Sequence, residues 1–183
     1  MIASNGMKMI LLLYLSLMTQ NAATMIFDFT NQANLKQWKI VDDVVMGGVS
    51  SGKISINEDG HGQFEGTVSL ENNGGFSSLR FDCGAIRADD TKHIRILLKG
   101  DGKEYQLRVK DKTTVTYSYI LPFETTGEWE TITIALKDMY PSFRGRKLAF
   151  SNYDKESIEE LALLIGNGKN ENFKLVIDNI TLE

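Results

Sequence analysis

Several things are scarce in this chain of 183 residues. It has one cysteine, Cys83, so no internal disulfide can form. Cys83 has no CxxC partner and no flanking histidine, which removes the usual metal and redox signatures and leaves a small buried apolar residue. The two histidines, His61 and His93, are far apart and in no ligand spacing. Acid–base catalysis needs a placed base, and neither histidine offers one. No Ser/His/Asp order and no paired acid in an apolar setting stands out. No catalytic residue, metal or cofactor is therefore expected. An excess of basic charge is missing too: the net charge is −4. That argues against a nucleic-acid partner held through phosphate contacts. No apolar run reaches the roughly 20 residues of a membrane-spanning helix.

The longest apolar run, MILLLYLSLM from Met9 to Met18, is about half of such a span and follows Lys8. With Ala22 and Ala23 as cleavage positions, residues 1–23 read as a signal peptide. An exported protein is expected on that reading, and a cytoplasmic one if translation starts at Met25. Met7 is a further alternative start.

Near the N-terminal third, GGVSSGKIS from Gly47 to Ser55 nearly spells a phosphate-binding loop. That motif needs a helix after the loop and a Ser or Thr after the lysine. Here Ile54 follows Lys53, and KISINEDGHG alternates apolar and polar residues before the turn signal Asp59-Gly60. This is a strand and a turn. Beyond it, period-two runs dominate: HIRILLKG with Ile94, Ile96 and Leu98, EYQLRVKD with Tyr105, Leu107 and Val109, and VTYSYILPF with Tyr119 and Phe123. EWETITIAL and FKLVIDNITLE follow the same rule. The last run changes parity after Ile177, which predicts a bulge near Asp178-Asn179. Asp101-Gly102-Lys103 reads as a hairpin turn, Asp138 to Tyr153 as a long ordered loop, and Asp154 to Leu161 as one short helix. About ten short strands with regular turn signals predict an all-β antiparallel sandwich or jelly roll over residues 25–183, a single domain.

Particular residues carry a resemblance. Trp38, Asp42-Asp43, Val45 to Ser50, Phe64, Gly66, Glu71 to Ser78 and Arg80 are similar to the complex I intermediate-associated protein family. Asp101-Gly102 with Tyr105, Tyr117, Phe123, Trp129, Phe143 to Arg146, Ile165-Gly166, Phe173 and Leu175 fit it as well. The resemblance spans residues 25–183. It implies a sandwich like the galactose-binding domain, no catalysis, and a chaperone-like protein-binding role in assembling a membrane complex of the NADH:ubiquinone oxidoreductase type.

Two loops share a pattern: Gly47-Gly48-Val49-Ser50-Ser51 recurs as Gly74-Gly75-Phe76-Ser77-Ser78. They are either similar strand corners or two adjacent loops shaping one surface. On the second reading Asp42, Asp43, Met46, Gly47, Gly48, Asn73, Gly74 and Gly75 bind a partner or ligand, and a small molecule sits between the loops. Met46 is a core plug or a soft contact. Arg80, Arg144 and Arg146 are either solvated charges or a fork for a carboxylate. Tyr140 and Tyr153 are the aromatics best placed for exposure, as a sugar-stacking platform would need. A carbohydrate is thus the alternative to a protein partner. The acidic runs Asn57 to Gly60 and Asp89-Asp90 lack calcium-loop spacing.

Overall fold

The computed structural model describes residues 23–88 and 93–183. The expected signal peptide, apart from Ala23, and the Asp89-Asp90 pair lie outside them. The described residues form thirteen strands in two antiparallel sheets, β1 (Thr24–Asp28) to β13 (Glu171–Leu182). The six-stranded sheet runs β3 (Ser51–Ile56), β4 (Gly62–Val68), β13, β6 (His93–Lys99) and β9 (Trp129–Ala135), with β1 also paired to β13. The seven-stranded sheet runs β11 (Arg146–Lys147), β10 (Tyr140–Phe143), β8 (Ser118–Glu124), β7 (Glu104–Lys110), β12 (Ser157–Ile165), β5 (Ser77–Arg87) and β2 (Trp38–Asp42).

Alternation explains why these runs are strands and which face each buries. Ile94, Ile96 and Leu98 on β6 are fully buried, as are Tyr105 and Leu107 on β7. Phe64, Leu175 and Ile177 extend the core face of the six-stranded sheet, and Leu79, Leu161 and Leu163 that of the seven-stranded sheet opposite. Each such side chain contributes about 1.5–3 kcal/mol by leaving water. At one end Trp38 stacks on Phe81 with ring centroids 4.7 Å apart, and Phe27 and Phe29 close around the pair. The predicted bulge is present: the β13–β6 register shifts between Ile177 and Asn179. It turns Ile180 and Leu182 back to the core, where both are buried.

Three expectations are corrected. Asp101-Gly102-Lys103 does not close a hairpin, because β6 and β7 lie in different sheets. Both strands bury one face in the same core, and the short link carries the chain across the sandwich. Asp101 braces this crossing by accepting from the Tyr105 hydroxyl at 3.1 Å, the Lys103 ammonium at 2.6 Å and the Lys174 N–H at 2.9 Å. The short helix over Asp154 to Leu161 is absent: Ser157–Ile165 is β12, held between β5 and β7. The 138–153 loop contains β10 and the two-residue edge strand β11. Among the described residues only 3-10 turns are helical, and no helix is long and apolar enough to cross a membrane.

Candidate functional site

The two Gly-Gly loops do come together, and a carboxylate joins them. Asp43 opens the 3-10 turn Asp43–Met46 that follows β2 and is buried, 4% exposed. Its Oδ1 accepts from the Ser50 N–H at 3.1 Å. Its Oδ2 accepts from the Ser50 hydroxyl, the Gly75 N–H and, at 3.2 Å, the Phe76 N–H. Burial works against ionisation here. The Ser50 hydroxyl and the N–H groups of Gly75, Phe76 and Ser50 outweigh it and hold the Asp43 pKa below the ordinary aspartate value. A Cβ added at Gly48 or at Gly74 would collide with this carboxylate. The space between the loops, where one of the two readings placed a small ligand, holds the chain's own Asp43 side chain. Gly47 ends the turn at φ +84°, a conformation suited to glycine, and its carbonyl accepts from Asn72 Nδ2 at 2.9 Å. Asp42 accepts from the Gly52 N–H at 3.1 Å. Asn73, at φ +59°, leads the backbone into Gly74. The Met46 side chain lies outside the described residues.

The three arginines are not one fork. Arg144 (φ +49°) and Arg146 are exposed at the tip of the β10–β11 hairpin. Arg80 lies in β5, with β12, β7 and β8 between it and that hairpin. Its neighbour on the same outward face is Arg108 of β7: Arg80 pairs with Ala162, and Ala162 pairs with Arg108. The row continues to Lys39 on one side and to Ile120 and Tyr140 on the other. Lys147 lies over the Tyr140 ring, 4.9 Å from its centre. Arg108 reads from the sequence as an outward residue, but nothing in the sequence tells that β12 sets it beside Arg80.

Of the two aromatics expected to be exposed, Tyr153 is buried, 6% exposed, and its hydroxyl donates to the Ser157 carbonyl at 2.8 Å. Tyr140 is half-buried beneath Lys147. The exposed aromatic beside a cavity is Trp129, 44% exposed, on the opposite sheet. Its ring meets His61 edge-on at 4.8 Å, and His61 Nδ1 lies 2.9 Å from Asp178. A cavity of about 390 Å³ opens there, lined by Trp129, His61, Asp59, Gln63, Lys99 and Lys174 among others. Among the described residues no three acidic, histidine or cysteine side chains stand close enough to hold a metal. Cys83 is half-buried, and burial pushes its thiol up to about 12, so it stays protonated and unreactive.

The model of the family described as Complex I intermediate-associated protein 30 (CIA30) matches residues 27–177. Among solved structures, a family 11 carbohydrate-binding module from Clostridium thermocellum, in complex with a β-1,3-1,4-mixed-linked tetrasaccharide, is similar to this chain. The TM-score is 0.63 at 19% identity, over 87% of this chain and 94% of that one. An exo-β-agarase matches with a TM-score of 0.56 at 12% identity, over 87% of this chain but 24% of the other. At such identities the likeness is one of fold. No curated protein sequence matches the chain.

Proposed function

Since the chain belongs to the Complex I intermediate-associated protein 30 family, we propose that it is a non-catalytic protein-binding domain that assists assembly of a membrane complex of the respiratory complex I type. The observation that carries this reading is the use of Asp43. The carboxylate at the centre of the family-like motifs has both oxygens occupied by the chain's own donors. It is buried and braces loops, held by four donors of the chain itself. The motif residues build a frame, and the outward sheet faces are left to meet a partner.

The test is an affinity pull-down in mild detergent of the full-length protein, tagged at Glu183, from its own host. Subunits of a membrane complex in the eluate are the expected result. Failure to retain any protein, together with clear affinity for a glycan, would overturn the reading. The same preparation reports the compartment. A mature N-terminus near Thr24 marks export, and an intact Met25 start marks a cytoplasmic protein.

A second reading, an exported carbohydrate-binding module, is favoured by the Trp129 cavity. An exposed indole beside amide, carboxylate and ammonium groups suits a sugar ring and its hydroxyls. Of the two tryptophans, Trp38 is buried in the core, so ligand-dependent quenching of fluorescence would report Trp129. This reading expects a glycan to quench and Trp129→Ala to abolish both the quench and the binding. A flat response across a broad glycan panel would dismiss it.

A further inference from the structure

Charges on the sheet faces are mostly paired. Lys53 meets Glu65 at 3.0 Å, Arg95 meets Glu183 at 3.1 Å, and Lys110 meets Glu160 at 3.4 Å. The last pair lies on the outward face of the seven-stranded sheet, two residues along β7 from Arg108. The row beside it is built differently. Lys39, Arg80 and Arg108 follow one another across β2, β5 and β7, and among the described residues none of them has a carboxylate within ion-pair distance.

Arg108 has only Gln106 for company, through Nε and Nη2 to the same amide oxygen at 3.2 and 2.8 Å. Arg80 Nε is buried and has no hydrogen-bond partner. Burial and the nearness of Arg80 both lower the pKa of Arg108, so the two guanidiniums repel one another at a partly desolvated site. Between them on the outward face stands Ala162, itself buried. Two half-buried guanidiniums without a counter-charge weaken the fold. A glutamine or a leucine in either place would relieve the repulsion, so the pair calls for a reason outside stability.

We propose that the outward face of the seven-stranded sheet docks an acidic polypeptide segment, whose carboxylates seat on Arg80 and Arg108 over Ala162. The inference rests on the protein-binding reading above and names the chemistry of the partner. Charge complementarity sets the occupant. Guanidiniums bind carboxylates through paired N–H donors, more strongly when half-desolvated. The cationic row also continues, with Lys39 at one end and Lys147 over Tyr140 at the other. From β2 to β10 it crosses five strand spacings, about 24 Å. A single small carboxylate occupies a fraction of that length, whereas an extended acidic segment spans it.

The probe is a labelled poly-L-glutamate peptide, titrated against the full chain by fluorescence anisotropy. Binding that weakens with added salt is expected. Arg80→Gln and Arg108→Gln should each lower affinity about tenfold, the worth of one charge-assisted contact. Lys53→Gln, on the other sheet, should leave it unchanged. Neither arginine variant should melt below the wild type, since each removes a repulsion. If the double variant fails to fold, the Arg→Lys pair, which keeps charge and loses the forks, replaces it and should still bind more weakly. No binding by the wild type, or full binding by either double variant, overturns the proposal. So does tighter binding of polygalacturonate, which would make the occupant an anionic glycan, or equal competition by free glutamate, which would make it a small-molecule site. The pull-down separates the two layers. Retention of membrane-complex subunits by both the wild type and the double variant leaves the assembly reading standing and this docking face refuted.

Discussion

Changing Asp43 to Asn would replace one of two acceptor oxygens with a donor amide. Either orientation then sets an N–H against the N–H of Ser50 or of Gly75. With the charge lost from a buried cluster as well, a loss of about 2–4 kcal/mol is expected, read from the urea midpoint. The pH dependence follows from the direction of the shift. The folded-state pKa of Asp43 lies below the unfolded one. Its contribution is therefore fully present above the unfolded aspartate pKa and is lost as pH falls through the folded-state value. The stability gap between wild type and Asp43→Asn should be full at neutral pH and close in acid. A gap that persists unchanged into acid would show that packing, not charge, holds the loops. Gly48→Val forces a side chain against the same carboxylate. It should lower the melting temperature of the whole domain, where a ligand site between the loops would have predicted lost binding with the melt intact.

At the scale of elements, the link from β6 to β7 hangs on Asp101. Asp101→Ala strands the buried Tyr105 hydroxyl and frees the Lys174 N–H. A cost of about 2 kcal/mol is expected in chemical denaturation. Burial raises the Tyr105 pKa, so the hydroxyl remains a donor across the neutral range. The alternation in HIRILLK and EYQLRVK was legible because side-chain direction is a local property of a strand. The partner of each strand was not. The Asp-Gly turn carries the same local signal whether the chain folds back or crosses over, so the hairpin expectation failed on topology. Ser157 to Leu161 failed for another reason. Glu159, Glu160, Leu161 and Ala162 are helix formers by intrinsic preference. Ladder bonds to β5 and β7 on both sides override that preference. The same pairing hid the Arg80–Arg108 neighbourhood, which exists only because β12 joins the strands that carry them. The Asp43 clamp was half legible: the repeated Gly-Gly-x-Ser-Ser pattern marked both loops, and only the fold revealed the carboxylate between them.

For the molecule as a whole, the six-stranded sheet has one joining member. The β3–β4 pair, the β6–β9 pair and β1 meet only through β13. Removing residues 171–183 should therefore abolish the cooperative transition in calorimetry, while a truncation that kept a sharp melt would mean that the remaining strands can close the core alone. The order of pairing also has a consequence in time. During synthesis β13 leaves the ribosome after every strand it pairs with. Until then β4 and β6 have no common neighbour, and the two pairs cannot join into one sheet over the seven-stranded one. The six-stranded sheet is therefore the last part of the sandwich to close. The same delay leaves its apolar strands open to any holdase that meets the growing chain.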